Sequence, residues 1–302
     1  MRVVGFGPFR LLFDFLQFIT FFIVESSVKQ KKGVHHITTS MALAYTLKTT
    51  CNNTTSPLHY LKCLTQDPNN GLERAAKDGD VDLIEFFIAK GANAWQRGMY
   101  GAAVGGHKDL VDFFIDSSWS EQSLDPTSMH QVWEYGMWHA ALGGHKDLVD
   151  FFIDKGAANW NGGMWVAAQG GHKDLVLFFI GKGAENWNLG MEGAVKGGHK
   201  ELVYFFVEKG ACEWNCGMRA AAKRGDKELV DFFIAKGADN WNSGLYGAAE
   251  GGHKDFVLFF IDKGADDVIG ARRFAVEEGH KDRVDFFISA LVSMYSYQDF
   301  DD

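Results

Sequence analysis

Gly170-Gly171-His172-Lys173-Asp174-Leu175-Val176-Leu177-Phe178-Phe179-Ile180 returns 27 residues later as Gly197-Gly198-His199-Lys200-Glu201-Leu202-Val203-Tyr204-Phe205-Phe206-Val207. It returns again after His253 and, more loosely, after His280. Asp80, His107, His145 and Asp226 hold the same slot, so the steps along the chain are 27, 38, 27, 27, 27, 27 and 27 residues. The period is 27, with one insertion of 11 residues between the second and third units. Tryptophan keeps the same interval at Trp95, Trp133, Trp160, Trp187, Trp214 and Trp241. Eight units run from about Gly71 to Ile288.

Each unit reads as two short helices. The first is Gly-Met-x-x-Ala-Ala-x-Gly-Gly, as in Gly163 to Gly171. Its alanines permit close approach of a neighbouring helix, and glycine tolerates the left-handed turn that ends it. His or Asp opens the second helix as a cap or turn residue, and Asp174 or Glu201 beside it complements the positive helix end. Leu175, Val176, Phe178, Phe179 and Ile180 form a wide apolar stripe at helical spacing. A 27-residue unit cannot bury such a stripe alone, whereas stacked neighbours make a continuous core, which is a solenoid. The expectation is 16 helices and no strands.

The string Ala-Ala-x-x-Gly-His-x-x-Leu-Val, followed by three apolar residues and then Gly-Ala, resembles the ankyrin repeat. The resemblance covers roughly 71–288, nearly three quarters of the chain. It implies an all-α, ankyrin-like helical solenoid of about eight helix-turn-helix repeats. Two features depart from the family. Ankyrin units have about 33 residues, and the six missing here fall in the β-turn finger, so the finger loops are shortened. Gly-Met replaces the Thr-Pro-Leu-His opening, and only Ser56-Pro57-Leu58-His59 keeps something like it, as a divergent capping half-repeat. Short units rich in Trp and Phe are similar to ankyrin-like proteins of large double-stranded DNA viruses. The resemblance implies a non-catalytic scaffold that binds a host protein inside the cell, as a monomer. Loss of the fingers moves the expected binding surface toward the helices.

Composition agrees with a folded, non-catalytic class. The 302 residues are 46% hydrophobic and 23% charged, enough to bury a core. Lys+Arg 30 against Asp+Glu 39 leaves a net charge of −9, which argues against nucleic acid as partner. The four cysteines, Cys51, Cys63, Cys212 and Cys216, are too few and too scattered for a disulfide framework. No phosphate loop, dinucleotide fingerprint or nucleophile elbow is present, and the Gly-Gly pairs end helices where a phosphate site needs them to open one. No cofactor is implied.

The segments outside the repeat have another composition. Residues 1–40 are an apolar, irregular N-terminal extension, 41–70 a capping segment and 289–302 an acidic tail. Leu11 to Val24 is the cleanest apolar run, with Asp14 inside it. At 14 residues it is short for a spanning helix. It suits a signal-like core, an interfacial helix or a helix laid on the repeats; the other reading is a disordered segment or a non-native upstream extension, with Met41 as an alternative start. Membrane contact through residues 11–24 therefore gives a second reading, a membrane-tethered scaffold. A stack without a specific partner is a third. Asn52-Asn53-Thr54-Thr55 holds two overlapping glycosylation sequons, which matter only in a secreted chain.

The histidine series His107, His145, His172, His199, His253 and His280 looks like a metal ladder. Stacked helices sit about 10 Å apart, far beyond zinc–nitrogen bonds of about 2.0 Å, so equivalent histidines cannot share an ion. The Trp95 to Trp241 column is read as lying in the shortened inter-repeat loop, covering the core end, with flanking Asn holding the turn. Variation is more informative than constancy. One column of the first helix reads Tyr100, Trp138, Trp165, Glu192, Arg219 and Tyr246, and four residues on the same face reads Val104, Leu142, Gln169, Lys196, Lys223 and Glu250. A position that accepts Trp, Glu and Arg is not packed core. The first of these columns is the candidate binding face, with aromatics in its N-terminal half. The 17 residues Asp116 to Val132, with Ser-rich sequence and Pro126, are expected to bulge from the stack as a loop.

Overall fold

The structure is a computed structural model that describes residues 67–121 and 126–277. The N-terminal extension with its apolar run 11–24, the sequons, Cys51, Cys63, His280, the residues expected to form a sixteenth helix and the acidic tail lie outside the described residues. The chain divides into two compact units, Met1–Gly71 with Phe86–Ala92, and Leu72–Glu85 with Asn93–Asp302. In the described part of the first, Asp67 caps its turn by accepting from Asn69 N at 2.9 Å, and Phe87 lies against Gly71. The second carries the repeat from Asn93 onward.

Fifteen helices and no strands are found among the described residues. In chain order they are α1 (Pro68–Asp78), α2 (Val81–Ala89), α3 (Trp95–Gly105), α4 (Lys108–Glu121), α5 (Pro126–Gly143), α6 (Lys146–Asp154), α7 (Trp160–Gly170) and α8 (Lys173–Lys182). Then follow α9 (Trp187–Gly197), α10 (Lys200–Glu208), α11 (Trp214–Arg224), α12 (Lys227–Ala235), α13 (Trp241–Gly251), α14 (Lys254–Asp262) and α15 (Val268–Glu277). From α3 onward each odd-numbered helix packs on the next odd-numbered one and on its own even-numbered partner. This is a helical solenoid.

One unit shows why the sequence folds so. α7 ends at Gly171, whose φ of 80° is left-handed, and His172 N and Gly171 N close the turn on Ala167 O and Ala168 O. The core is a repeated knob. Phe114, Phe152, Phe179, Phe206, Phe233 and Phe260 are fully buried, and each ring lies on the glycine of Gly-Met or its equivalent in its own unit, such as Gly163 under Phe179. A Cβ at Gly163 would stand 2.5 Å from that ring. Glycine in a helix interior costs about 1 kcal/mol relative to alanine; here it makes room for a phenylalanine. A second set of glycines sets the distance between units. A Cβ on Gly105, Gly143, Gly170, Gly197 or Gly251 would meet a backbone carbonyl of the preceding unit at 2.0–2.4 Å.

The histidines open the second helices but do not cap them with their side chains. They hold the expected cap-or-turn position, but the side chain is not the capping group. His145, His172, His199 and His253 instead reach backward, and Nε2–H donates to Val104 O, Leu142 O, Gln169 O and Lys223 O at 3.0–3.2 Å. His107 does the same to Lys77 O at 3.1 Å. Only the aspartates cap, Asp80 accepting from Leu83 N and Asp226 from Leu229 N. Where Asp226 displaces histidine, Arg224 stands in the adjacent glycine column and its guanidinium donates to Lys196 O at 3.0 Å. Gly197 with His199 and Arg224 with Asp226 are thus two solutions to one bond. Arg224→Gly alone should destabilise, because it orphans the Lys196 carbonyl. Arg224→Gly with Asp226→His should recover most of the loss in thermal denaturation. A double variant no more stable than the single one would refute the exchange.

Asparagine has two jobs. Asn159, Asn186 and Asn240 cap their own helices by accepting from Gly162, Leu189 and Ser243 N. Asn161, Asn188, Asn215 and Asn242, just inside the helix, each accept two backbone N–H bonds from the turn of the following unit, as Asn161 does from Glu185 and Asn186. Glu134 does this for Ala158 and Asn159. Five of the six tryptophans stand at the first residue of a first helix, not in the loop as the sequence suggested. Trp133 is buried and the other five are half-buried.

The insertion also differs from expectation. It lengthens helices: α4 has 14 residues against 9 in α6, and α5 has 18 against 11 in α7. Pro126 opens α5, where its fixed φ and missing N–H are favourable. Only 122–125, outside the described residues, separates the two helices.

Candidate functional site

The varied column occupies one position of each first helix, one residue after the buried Met99, Met137, Met164, Met191, Met218 and Leu245. That buried neighbour turns the column residue away from the core. Tyr100, Trp138, Trp165, Glu192, Arg219 and Tyr246 are all half-buried, and the contacts made by several of them run onto the following unit.

The aromatic half is continuous. Tyr100 stacks on His139, with ring centres 4.7 Å apart and planes 9° from parallel, and lies 6.0 Å from Tyr135. Tyr135 meets Trp138 edge-on at 5.2 Å. The Nε1 edge of Trp138 rests on Gly162, where a Cβ would be 2.5–2.7 Å from the ring atoms. Trp165 rests on Gly193, with Cδ1 at 2.8 Å from the position a Cβ would take, and Lys196 Nζ stands 5.0 Å from the Trp165 ring centre. The indole N–H groups of Trp138 and Trp165 are buried and have no hydrogen-bond partner. Burial, helped by the neighbouring Tyr135, pushes the Tyr100 phenol up to about 12.

The polar half is internally paired. Glu192 bonds Lys196 at 2.6 Å. Arg219 pairs with Glu250, which also holds Lys223 at 3.3 Å. The Arg219 guanidinium lies 5.9 Å from the Tyr246 ring centre and 5.1 Å from that of Phe274. The Tyr246 hydroxyl donates to Asp267, which raises the phenol and lowers the carboxyl. The second varied column, Val104 to Glu250, has side chains free to differ because its constant work is done by backbone. Carbonyls of Val104, Leu142, Gln169, Lys196 and Lys223 accept the inter-unit bonds described above.

Tyr135 and His139 belong to this surface and were missed in the sequence, as were the glycine seats Gly162 and Gly193. For Gly162, a glycine where the neighbouring units carry Tyr135 and Leu189 was the available signal. A separate apolar face lies on the second helices, where Leu177, Tyr204 and Leu258 are exposed and lysines cover phenylalanine rings, as Lys146 Nζ does Phe178 at 3.9 Å.

His139 gives the site a pH response. Burial pushes its pKa below the usual value, opposed by the Nδ1–H bond to Tyr135 O at 2.7 Å and by the Glu73 carboxylate. The unfolded chain therefore takes up this proton first as the pH falls. The stabilisation is complete above about pH 6.5, the ordinary histidine value, and is lost as the pH drops toward the lower folded value. Between about pH 7.5 and 5.5 the melting temperature of the wild type should fall further than that of His139→Gln. Equal falls would remove His139 from the response.

Among the described residues no helix is long and apolar enough to cross a membrane. Comparison with known proteins finds no family model and no curated sequence that matches the chain.

Proposed function

We propose that the chain is a non-catalytic protein–protein interaction scaffold of the ankyrin-repeat kind, made by a large double-stranded DNA virus and acting on a host protein in the host cytoplasm. The observation that carries the proposal is the contrast between a constant frame and one varied column. The knob phenylalanine and its glycine seat recur from unit to unit, while the column beside them runs Tyr100, Trp138, Trp165, Glu192, Arg219, Tyr246. Selection for stacking alone accounts for the frame and gives no reason for the column. Half-buried aromatics followed by paired charges suit an interface centre with a polar flank.

The test compares the intact chain with Trp138→Ala/Trp165→Ala and with Leu177→Ser/Tyr204→Ser on the second-helix face. Both rings cover a glycine of the next unit, so the alanine pair should lower the melting temperature moderately, and capture is measured well below it. Proteins retained from cell lysate by the wild type should be lost with the alanine pair and kept with the serine pair. Retention of the same proteins by the alanine pair would sink the proposal.

A further inference from the structure

Building on the reading of the varied column as a docking surface, we propose that its polar half takes an acidic segment of the partner protein, with the Arg224 guanidinium as the fork that grips a carboxylate. The observation that carries this is an exchange that stacking does not require. Five units join the preceding unit through a glycine and a histidine ring, Gly105, Gly143, Gly170, Gly197 and Gly251 beside His107, His145, His172, His199 and His253. Among them the unit of α11 makes the same bond with Arg224, whose Nη1–H donates to Lys196 O at 3.0 Å. The imidazole solution holds the stack as well, so the bond does not account for the arginine. What the exchange adds is a cation at the surface. Arg224 is exposed, its guanidinium lies against Gly198, and it has no carboxylate partner among the described residues.

The surroundings are cationic. Helices α9, α11 and α13 carry Lys196, Arg219, Lys223 and Arg224 against Glu192 and Glu250 alone, in a chain whose net charge is −9. Glu250, 11% exposed, is shared by Arg219 and Lys223, and Lys223 stays 45% exposed above it. Helix ends do not demand these cations, because the last turns of α3, α5, α7 and α13 have none.

Carboxylates on a peptide fit this arrangement better than other anions. Lys223 and Arg224 are neighbours on α11, and Lys196 stands one unit, about 10 Å, away. That spread suits several single charges along a segment, where one phosphate would need convergent donors. The planar fork of arginine matches a carboxylate with two parallel hydrogen bonds. The negative charge of the whole chain repels nucleic acid. Lys196 Nζ lies 5.0 Å from the Trp165 ring centre, so the acidic segment continues into residues with apolar bulk for the aromatic half.

The experiment titrates the full chain with fluorescein-labelled, end-capped (Glu-Tyr)5, with (Gln-Tyr)5 and with a ten-nucleotide oligothymidylate, read by anisotropy at about 0.02 M and about 0.3 M salt. (Glu-Tyr)5 should bind saturably, about tenfold or more tighter than (Gln-Tyr)5, and weaken as salt rises. Arg224→Gly/Asp226→His adopts the glycine–histidine solution of the other units, keeps the net charge and removes the fork. It should melt near the wild type and bind (Glu-Tyr)5 about tenfold more weakly. Lys223→Gln leaves the Arg224 bond in place and should weaken the peptide about threefold at an unchanged melting temperature. No saturable binding of (Glu-Tyr)5, or equal binding of (Gln-Tyr)5, would overturn the proposal. So would wild-type affinity in the double variant or, should that variant melt far lower, in Lys223→Gln. Tighter binding of the oligonucleotide would reassign the strip to phosphate. Tighter binding of (Glu-Tyr)5 by Asp299→Asn/Asp301→Asn/Asp302→Asn would give the strip to the chain's own tail in place of a partner. If (Glu-Tyr)5 fails while the alanine pair still abolishes protein capture, the docking surface stands and the acidic class is wrong. If (Glu-Tyr)5 binds through Arg224 while the alanine pair retains capture, the cationic strip stands and the reading of the column fails.

Discussion

Gly197→Ala should destabilise the protein by about 2 kcal/mol or more, although alanine favours an isolated helix by about 1 kcal/mol over glycine. Gly197 lies in α9, and an added Cβ would stand 2.2 Å from the Gln169 carbonyl oxygen and 2.5 Å from the His199 ring. The carbonyl is backbone, so relief requires two units to separate. Separation stretches the His199 Nε2–Gln169 O bond, 3.2 Å in the native stack. Overpacking of this kind costs about 1–3 kcal/mol, and weakening the bond adds to it. Stability in a solenoid is a sum of unit terms and nearest-neighbour interfaces. The loss falls on one interface, and urea unfolding should broaden or divide into two steps. Gly181→Ala is the control. It lies in α8 with nothing within 4 Å of the added Cβ, and it should be neutral or stabilising by up to about 1 kcal/mol. If both variants shift stability in the same direction, close backbone approach is not what requires Gly197.

Phe206→Ala should cost about 3–5 kcal/mol, a large share of the 5–15 kcal/mol typical of a folded domain. The ring is 0% exposed and sits on Gly190, whose added Cβ would be 2.4 Å from it. The void left by the ring therefore opens against a residue with no side chain to fill it. Gly190→Ala alone should destabilise the wild type by driving a methyl group into the ring. In the Phe206→Ala background the same methyl occupies part of the cavity and should restore stability. Guanidinium unfolding of the four proteins gives the coupling directly. Additive losses would mean that the two residues do not share one space.

The repeat period, the helical character of both segments, the apolar stripe and the position of the varied column were all legible in the sequence. They are properties of spacing along the chain, and a 27-residue interval repeated through the sequence leaves the stacking solution with few rivals. The destinations of polar side chains were not legible. His172 opens a helix, and spacing alone reads it as a cap; its Nε2–H goes to Leu142, 30 residues back. Asn159 and Asn161 flank the same Trp160, yet one closes its own helix and the other holds the next unit's turn, 24 and 25 residues on. Pro126 looked like a loop residue and opens a helix. Trp138 and Trp165 looked exposed because the column varies, and they lean on Gly162 and Gly193. Each choice depends on which carbonyl, amide or bare backbone the neighbouring unit presents, a distance in space that tertiary packing sets. Periodicity determines that the units stack, and the short reach of hydrogen bonds and Cβ contacts lets only the stacked structure decide how each side chain is used.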